Sequence, residues 1–235
     1  MTAAEHLEPQ ALASLELFRG LTLPALRDAH RIARVRRIST QTQVFNQGDP
    51  DLRAHALVEG NMRISQWGSD GVQTVMRFIS PGEMFGTVAL FTDGRYPADA
   101  VAITDSLEAS WSEGELLMLM DRHPKIAINL VRVISKRLQE AQDRVRELST
   151  QRAERRVAHA VKRLALRAGH RTPEGTTITF PLRRKDVAAL SGTTLHTTSR
   201  ILTAWERAGF VLTRHRRLTI RSAAAISRIA DGQVE

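Results

Sequence analysis

Residues 183–212 read RRKDVAALSGTTLHTTSRILTAWERAGFVL, and this stretch decides how the C-terminal third folds. Asp186 to Leu190 make a short helix, Ser191-Gly192-Thr193 a three-residue turn, and Thr194 to Glu206 a second helix buried through Ile201, Leu202 and Trp205. Two short helices joined by a tight glycine-containing turn are the signature of a helix-turn-helix, the other use of such a pair being an αα-hairpin in a core. Ala188 and Ala189 let the helices approach closely. Gly192 supplies the backbone freedom that a β-branched residue would resist. The second helix carries Thr194, Leu195, His196, Ser199 and Arg200 in its N-terminal half, the positions that reach base edges when such a helix enters the major groove. Beyond it, Thr213-Arg214-His215-Arg216-Arg217-Leu218-Thr219-Ile220 reads as an alternating basic ribbon, a wing able to straddle phosphates. Arg183, Arg184, Lys185, Arg214, Arg216 and Arg217 are the expected phosphate contacts, which set affinity and its salt dependence rather than sequence choice.

The charge distribution supports that reading. Of 235 residues, 34 are Lys or Arg and 25 Asp or Glu, a net charge of +9. Residues 151–235 hold 17 basic and 6 acidic side chains, a net +11, whereas residues 1–150 come to −2. A basic module joined to a near-neutral one is the electrostatic footprint of nucleic-acid binding. The 42% hydrophobic content supports a packed core and excludes a disordered basic tail. Cysteine is absent, which excludes disulfides, zinc–thiolate sites, cysteine-ligated iron–sulfur clusters and thiol catalysis. The N-terminus lacks an apolar signal region, and no run is long and apolar enough to span a membrane, so a cytoplasmic protein is expected.

Upstream, residues 9–37 read as helical, with a break at Gly20 and a second start at Pro24. From Thr40 to Ser112, Gly48, Gly60, Gly71 and Gly82 recur at intervals of 12, 11 and 11, separated by short runs of strand formers. That rhythm predicts an antiparallel sandwich or roll, with a hairpin turn at Gly68–Gly71. From Pro124 to Ser149, Ala127, Leu130, Ile134, Leu138, Ala141, Val145 and Leu148 step by 3 or 4, close to a heptad seam. A seam so narrow points to a parallel homodimer through Leu130, Ile134, Leu138, Ala141, Val145 and Leu148. Another helix covers Gln151 to Ala168, followed by a loop over Gly169–Gly175 and a short strand over Ile178–Leu182.

This order of parts resembles the cyclic-AMP receptor/fumarate–nitrate regulator (CRP/FNR) superfamily of bacterial transcription factors, over about residues 15–222. Pro81-Gly82-Glu83-Met84-Phe85-Gly86 with Leu90-Phe91 is similar to the family's effector-pocket signature, and Ser199-Arg200-Ile201-Leu202 to the end of its reading motif. The resemblance implies an α+β fold: a cupin-like, cyclic-nucleotide-binding-like β-roll sensor with N-terminal helices over 1–123, a dimerisation helix over 124–150, and a winged helix-turn-helix over 151–235. It also implies a palindromic promoter site, with TTG half-sites read by Ser199 and Arg200, and RNA polymerase as a further partner. The effector pocket is expected at Gly82, Glu83, Phe85, Gly86, Thr87, Pro97 and Ala98.

The departures narrow the effector. Cyclic-nucleotide members follow the signature with Glu and later an Arg-Ser pair; here those positions are Thr87 and Pro97-Ala98, which offer a buried cyclic phosphate no cation. Cyclic AMP is therefore not the expected effector, and the absence of cysteine removes an iron–sulfur sensor. The run Thr193–Arg200 is similar to the nitric-oxide-responsive regulators of denitrification, a subgroup thought to sense through haem. His6 and His55 are the candidate axial ligands, an ordinary packed or surface histidine being the commoner use of either. No His-x-His or His-Glu-x-x-His cluster marks a catalytic metal, and no catalytic residues are expected. A constitutive DNA binder with a vestigial pocket, and a β-roll enzyme with a basic appendage, remain the alternatives.

Overall fold

The computed structural model describes residues 7–92 and 94–233, and the chain divides into two compact units, 1–140 and 141–235. In the first, short 3-10 turns at Pro9–Ser14 and Glu16–Phe18 precede α1 (Leu23–Ile32), whose first turn holds Pro24, where a missing N–H costs nothing. The helical reading fails after α1. Arg34-Val35-Arg36-Arg37-Ile38 is β1, because the β-branched Val35 and Ile38 suit a strand and the segment pairs antiparallel with residues 106–110.

Seven further strands follow: β2 (Gln43–Phe45), β3 (Arg53–Glu59), β4 (Met62–Trp67), β5 (Gln73–Ile79), β6 (Met84–Phe85), β7 (Asp99–Ala102) and β8 (Ser106–Ser112). They form two antiparallel four-stranded sheets, ordered β1-β8-β3-β6 and β2-β7-β4-β5, the expected roll. Gly48, Gly60, Gly71 and Gly82 all have positive φ, so the glycine rhythm marks chain reversals. Gly60 could not be replaced, since a Cβ would strike Ser106. One core packs Leu12, Phe18, Met84 and Trp111 with α2 (Glu113–Arg122); Trp111 lies 4.8 Å from Phe18 and donates its indole N–H to Ala29 O. The second core lies between the sheets around Phe45, Met62, Phe85 and Tyr96.

Helix α3 (Lys125–Thr150) runs through both units. Its first half is fastened to the roll unit. Ile126, Leu130 and Val133 are buried, and Asn129 Nδ2 donates to Leu17 O and Arg19 O. Leu130 therefore belongs to this unit's own core and not to the exposed seam. The exposed apolar side runs through Ile128, Val131, Ile134, Leu138, Ala141, Val145 and Leu148, with Leu138 58% exposed.

In the second unit, α4 (Ala153–Ala168) buries Val157, Val161 and Leu164. Residues 169–178 form a hairpin, β9 (Gly169–Thr172) and β10 (Gly175–Ile178), rather than a loop and a later strand. Thr176 and Ile178 supply the β-branched chains, and the turn falls at Pro173-Glu174. Helices α5 (Arg184–Ser191) and α6 (Leu195–Arg207) follow, then β11 (Val211–Arg214), β12 (Arg217–Ile220) and α7 (Ala223–Asp231). The strands make a sheet ordered β11-β12-β10-β9. No helix among the described residues is long and apolar enough to cross a membrane.

Candidate functional site

The turn between α5 and α6 is built as its sequence requires. Gly192 adopts φ +60°, and a Cβ there would overlap the Leu148 side chain. Arg156 satisfies the turn's carbonyls, donating Nε to Ser191 O at 2.9 Å and Nη2 to Gly192 O at 3.1 Å, while Arg144 Nη2 donates to Ala189 O at 2.7 Å. Sequence reasoning missed both arginines, since nothing local distinguishes them from solvated ones. Trp205 is buried and gives its indole N–H to Glu154 at 2.8 Å, anchoring α6 on α4.

The structure brings the reading residues together on one side of α6, with one exception. Leu195, His196 and Arg200 are exposed, Ser199 is half-buried beside them, and neither His196 nor Arg200 has a side-chain partner among the described residues. Thr194 is instead the N-cap: its hydroxyl accepts from Thr197 N at 3.1 Å and bonds Thr197 Oγ1. A capping hydroxyl satisfies an orphan helix donor and is not free for a base.

The phosphate set divides similarly. Arg183 and Lys185 are exposed at the start of α5. Arg184 is not free: Nη1 donates to Ser199 O and Thr203 Oγ1, and Nη2 pairs with Glu206. Arg214 pairs with Glu174 at 3.4 Å, an exposed contact. Arg216 and Arg217 are exposed without side-chain partners among the described residues. The wing turns through His215 and Arg216, both at positive φ (50° and 62°), a type I′-like reversal usually assigned to Asn-Gly. The wing borders an open cleft of about 690 Å³ lined by Thr172, Glu174, Thr177, Arg214, His215 and Arg217.

In the roll unit, the expected pocket residues lie in and around β6. Gly82 turns at φ +92°, and Glu83 accepts from Ser80 N and pairs with Arg77. Phe85 pairs with His55 across β6 and β3. Thr87 and Ala98 are buried and Pro97 is exposed. Gly86, at φ +72°, rests on three groups: a Cβ there would lie 2.9 Å from Arg53 O, 2.9 Å from His55 Cδ2 and 3.1 Å from Tyr96 Cε1.

Beneath Gly86 lies a buried polar chain that sequence reading did not find. Arg36 pairs with Glu108, Glu108 Oε2 lies 3.1 Å from His55 Nδ1, and His55 Nε2 lies 3.0 Å from Tyr96 Oη. The Tyr96 hydroxyl also accepts from Arg53 N at 2.7 Å, and its ring stacks on Phe45 at 3.7 Å. Burial pushes Tyr96 up to about 12. Burial also raises Glu108, but the His55 hydrogen bond and charge, with Arg36, outweigh it and hold the carboxyl below its usual range. The available signal was Tyr96 itself, the chain's one tyrosine, next to Pro97-Ala98.

This geometry does not fit haem at His55. The ring is 3% exposed and both nitrogens are engaged, so ligation to iron would break one of these bonds. Met62 and Met84 are fully buried core, and His6 lies outside the described residues. Among the described residues no group of three His, Asp or Glu could hold a metal ion.

Residues 35–123 match the cyclic nucleotide-binding domain and residues 155–229 the Crp-like helix-turn-helix domain. The chain is 32% identical over 189 residues to the "Cyclic AMP receptor protein" of Thermus thermophilus, covering 80% of this chain and 84% of that one. It belongs to the CRP/FNR family. As a CRP/FNR protein it is a DNA-binding transcription regulator with a cyclic-nucleotide-binding-like sensor domain. A second relative, the "Transcriptional activator protein anr" of Pseudomonas aeruginosa, is 23% identical over 231 residues, 98% of this chain and 94% of that one. The crystal structure of the Thermus thermophilus catabolite activator protein aligns with 93% of this chain and 100% of that one, at 31% identity and TM-score 0.53. FixK2 from Bradyrhizobium japonicum, at 22% identity, shares the CRP/FNR fold, with TM-score 0.73 over 84% of this chain and 97% of that one.

Proposed function

We propose that the chain is a homodimeric, sequence-specific regulator that reads a palindrome of TTG-type half-sites and is gated by an effector acting on the roll. The reading rests above all on the exposed His196 and Arg200, which have no side-chain partner among the described residues, beside Ser199 on α6, within a unit that carries all the excess positive charge. Arg200 forks two donors toward guanine O6 and N7, and Ser199 leaves room for a thymine methyl. His196 either donates or accepts, so its base partner differs from that of a carboxylate. Arg183, Lys185, Arg214, Arg216 and Arg217 supply the phosphate contacts. The exposed Ile134, Leu138, Ala141, Val145 and Leu148 support pairing of α3 with a second copy. RNA polymerase is the expected further partner, and the protein carries out no catalysis.

The effector is neither cyclic AMP held by an Arg-Ser pair nor an iron–sulfur cluster, since Pro97, Ala98 and the lack of cysteine supply neither. A second reading, an effector-independent DNA binder, is favoured by the Phe45, Tyr96, His55 and Phe85 rings, which fill the roll interior with the protein's own side chains. Selection of duplexes from a random library by the purified protein tests the reader. Repeating it with haem, then with haem and nitric oxide, tests the gate. Recovery of an inverted TTG repeat supports the proposal; recovery of no consensus would refute it. Site choice and affinity unaffected by these or any other small molecule favour the second reading.

A further inference from the structure

Arg184 is the first residue of α5, and sequence position alone makes it a phosphate contact. Its side chain does something else. Nη1 donates to Ser199 O at 3.0 Å and to Thr203 Oγ1 at 2.9 Å, and Nη2 donates to Glu206 Oε2 at 3.1 Å. Ser199, Thr203 and Glu206 are four and three residues apart, so they lie in line along one side of α6. One planar fork thus holds three points on the reading helix over two turns. Any rotation of α6 about its axis would break all three bonds together. Ser199 immediately precedes Arg200, so the clasp grips the backbone from which the base-reading arginine projects. With its charge answered by Glu206, Arg184 also has less to offer a phosphate.

We infer that Arg184, anchored by Glu206, is a positioning residue that fixes the rotation of α6 and hence the aim of Arg200, and is not a phosphate ligand. This rests on α6 being the base-reading helix. The fork explains why arginine stands here: a lysine ammonium keeps the charge but cannot present several donors in fixed directions.

The test uses the full chain, a duplex selected by the wild-type protein from a random library, and an unrelated duplex of equal length, across a salt series. For Arg184→Lys and for Glu206→Gln, affinity for the selected duplex is expected to fall about tenfold or more, the scale of one base contact. Affinity for the unrelated duplex and the salt slope stay as in the wild type. Lys185→Ala serves as the phosphate control and lowers the salt slope by about one. Two results would overturn the inference. One is Arg184→Lys choosing its site as the wild type does. The other is Glu206→Gln binding all DNA more tightly with a steeper slope, as a freed phosphate ligand would. The two roles give Glu206→Gln opposite signs, so that variant decides even if Arg184→Lys does not fold. A wild-type protein that selects no duplex would instead overturn the base-reading assignment itself.

Discussion

Replacing Glu108 by Gln or by Leu separates two accounts of the buried chain beneath Gly86. Glu108 is fully buried, with one oxygen on Arg36 and the other 3.1 Å from His55 Nδ1. In Glu108→Gln the amide oxygen keeps Arg36 while the amide N–H faces Nδ1, which turns acceptor. The ring proton then sits on Nε2 and is donated to Tyr96 Oη, whose own hydroxyl donates to Arg53 O at 3.1 Å. Every group keeps a partner, and the loss is that of one charge-assisted hydrogen bond becoming neutral, about 1 kcal/mol. In Glu108→Leu, Arg36 is one-third exposed and recovers water, but His55 at 3% cannot. A stranded ring nitrogen and a lost charged bond together cost about 3–5 kcal/mol. The gap of about 2–4 kcal/mol corresponds to about 5–15 °C in a unit of this size. Thermal unfolding of the full chain at neutral pH, followed by calorimetry so that the units are resolved, measures it. Equal melting of the two variants would refute the idea that satisfied polar partners, and not volume, hold this chain together.

The same carboxyl sets an acid limit. Its folded pKa is depressed, so its contribution is present above the unfolded value near 4.3 and lost as pH falls through the folded one. The deficit of Glu108→Gln against the wild type should therefore shrink in acid, and a deficit constant from pH 7 to pH 3 would contradict the assignment. Arg200→Ala is expected to lose about 1–3 kcal/mol of discrimination while weak general DNA binding persists, measured by competition between selected and scrambled duplexes. Arg216→Gly removes a side chain from a left-handed position that costs a non-glycine residue about 1 kcal/mol, so the protein should melt no lower while DNA affinity and the salt slope both fall. Leu138→Arg alters a side chain 58% exposed in one copy, so the chain should fold yet sediment as a monomer; an unchanged mass would remove α3 as the pairing surface.

Much of the fold is legible because its signals are local. The glycine intervals mark real reversals, the Thr194–Arg207 stretch carries its own cap and buried stripe, and the heptad steps trace the exposed side of α3 from Ile134 onward. What escaped is tertiary. Leu130 fits the seam by spacing, but the roll unit's core claims it, and period alone cannot say which neighbour a stripe meets. Arg184 and Thr194 look like free polar groups in a DNA-facing segment, yet their partners are Glu206 and Thr197. The Arg36, His55, Tyr96 and Glu108 chain joins residues up to 72 positions apart, with no spacing rule to link them. Thirty arginines in one composition hide the buried anchors among the exposed cations.

The inward Ile126, Leu130 and Val133 and the outward Ile134, Leu138, Val145 and Leu148 share one uninterrupted helix, so the helical period sets the line of each stripe. Each residue advances the helix by about 100°, so one residue inserted between Leu138 and Val145 would turn the downstream stripe well off the upstream one. Seven inserted residues leave only about 20° of error. Length changes in this segment are thus tolerable in steps of whole heptads, a counting rule imposed by geometry before any side chain is considered.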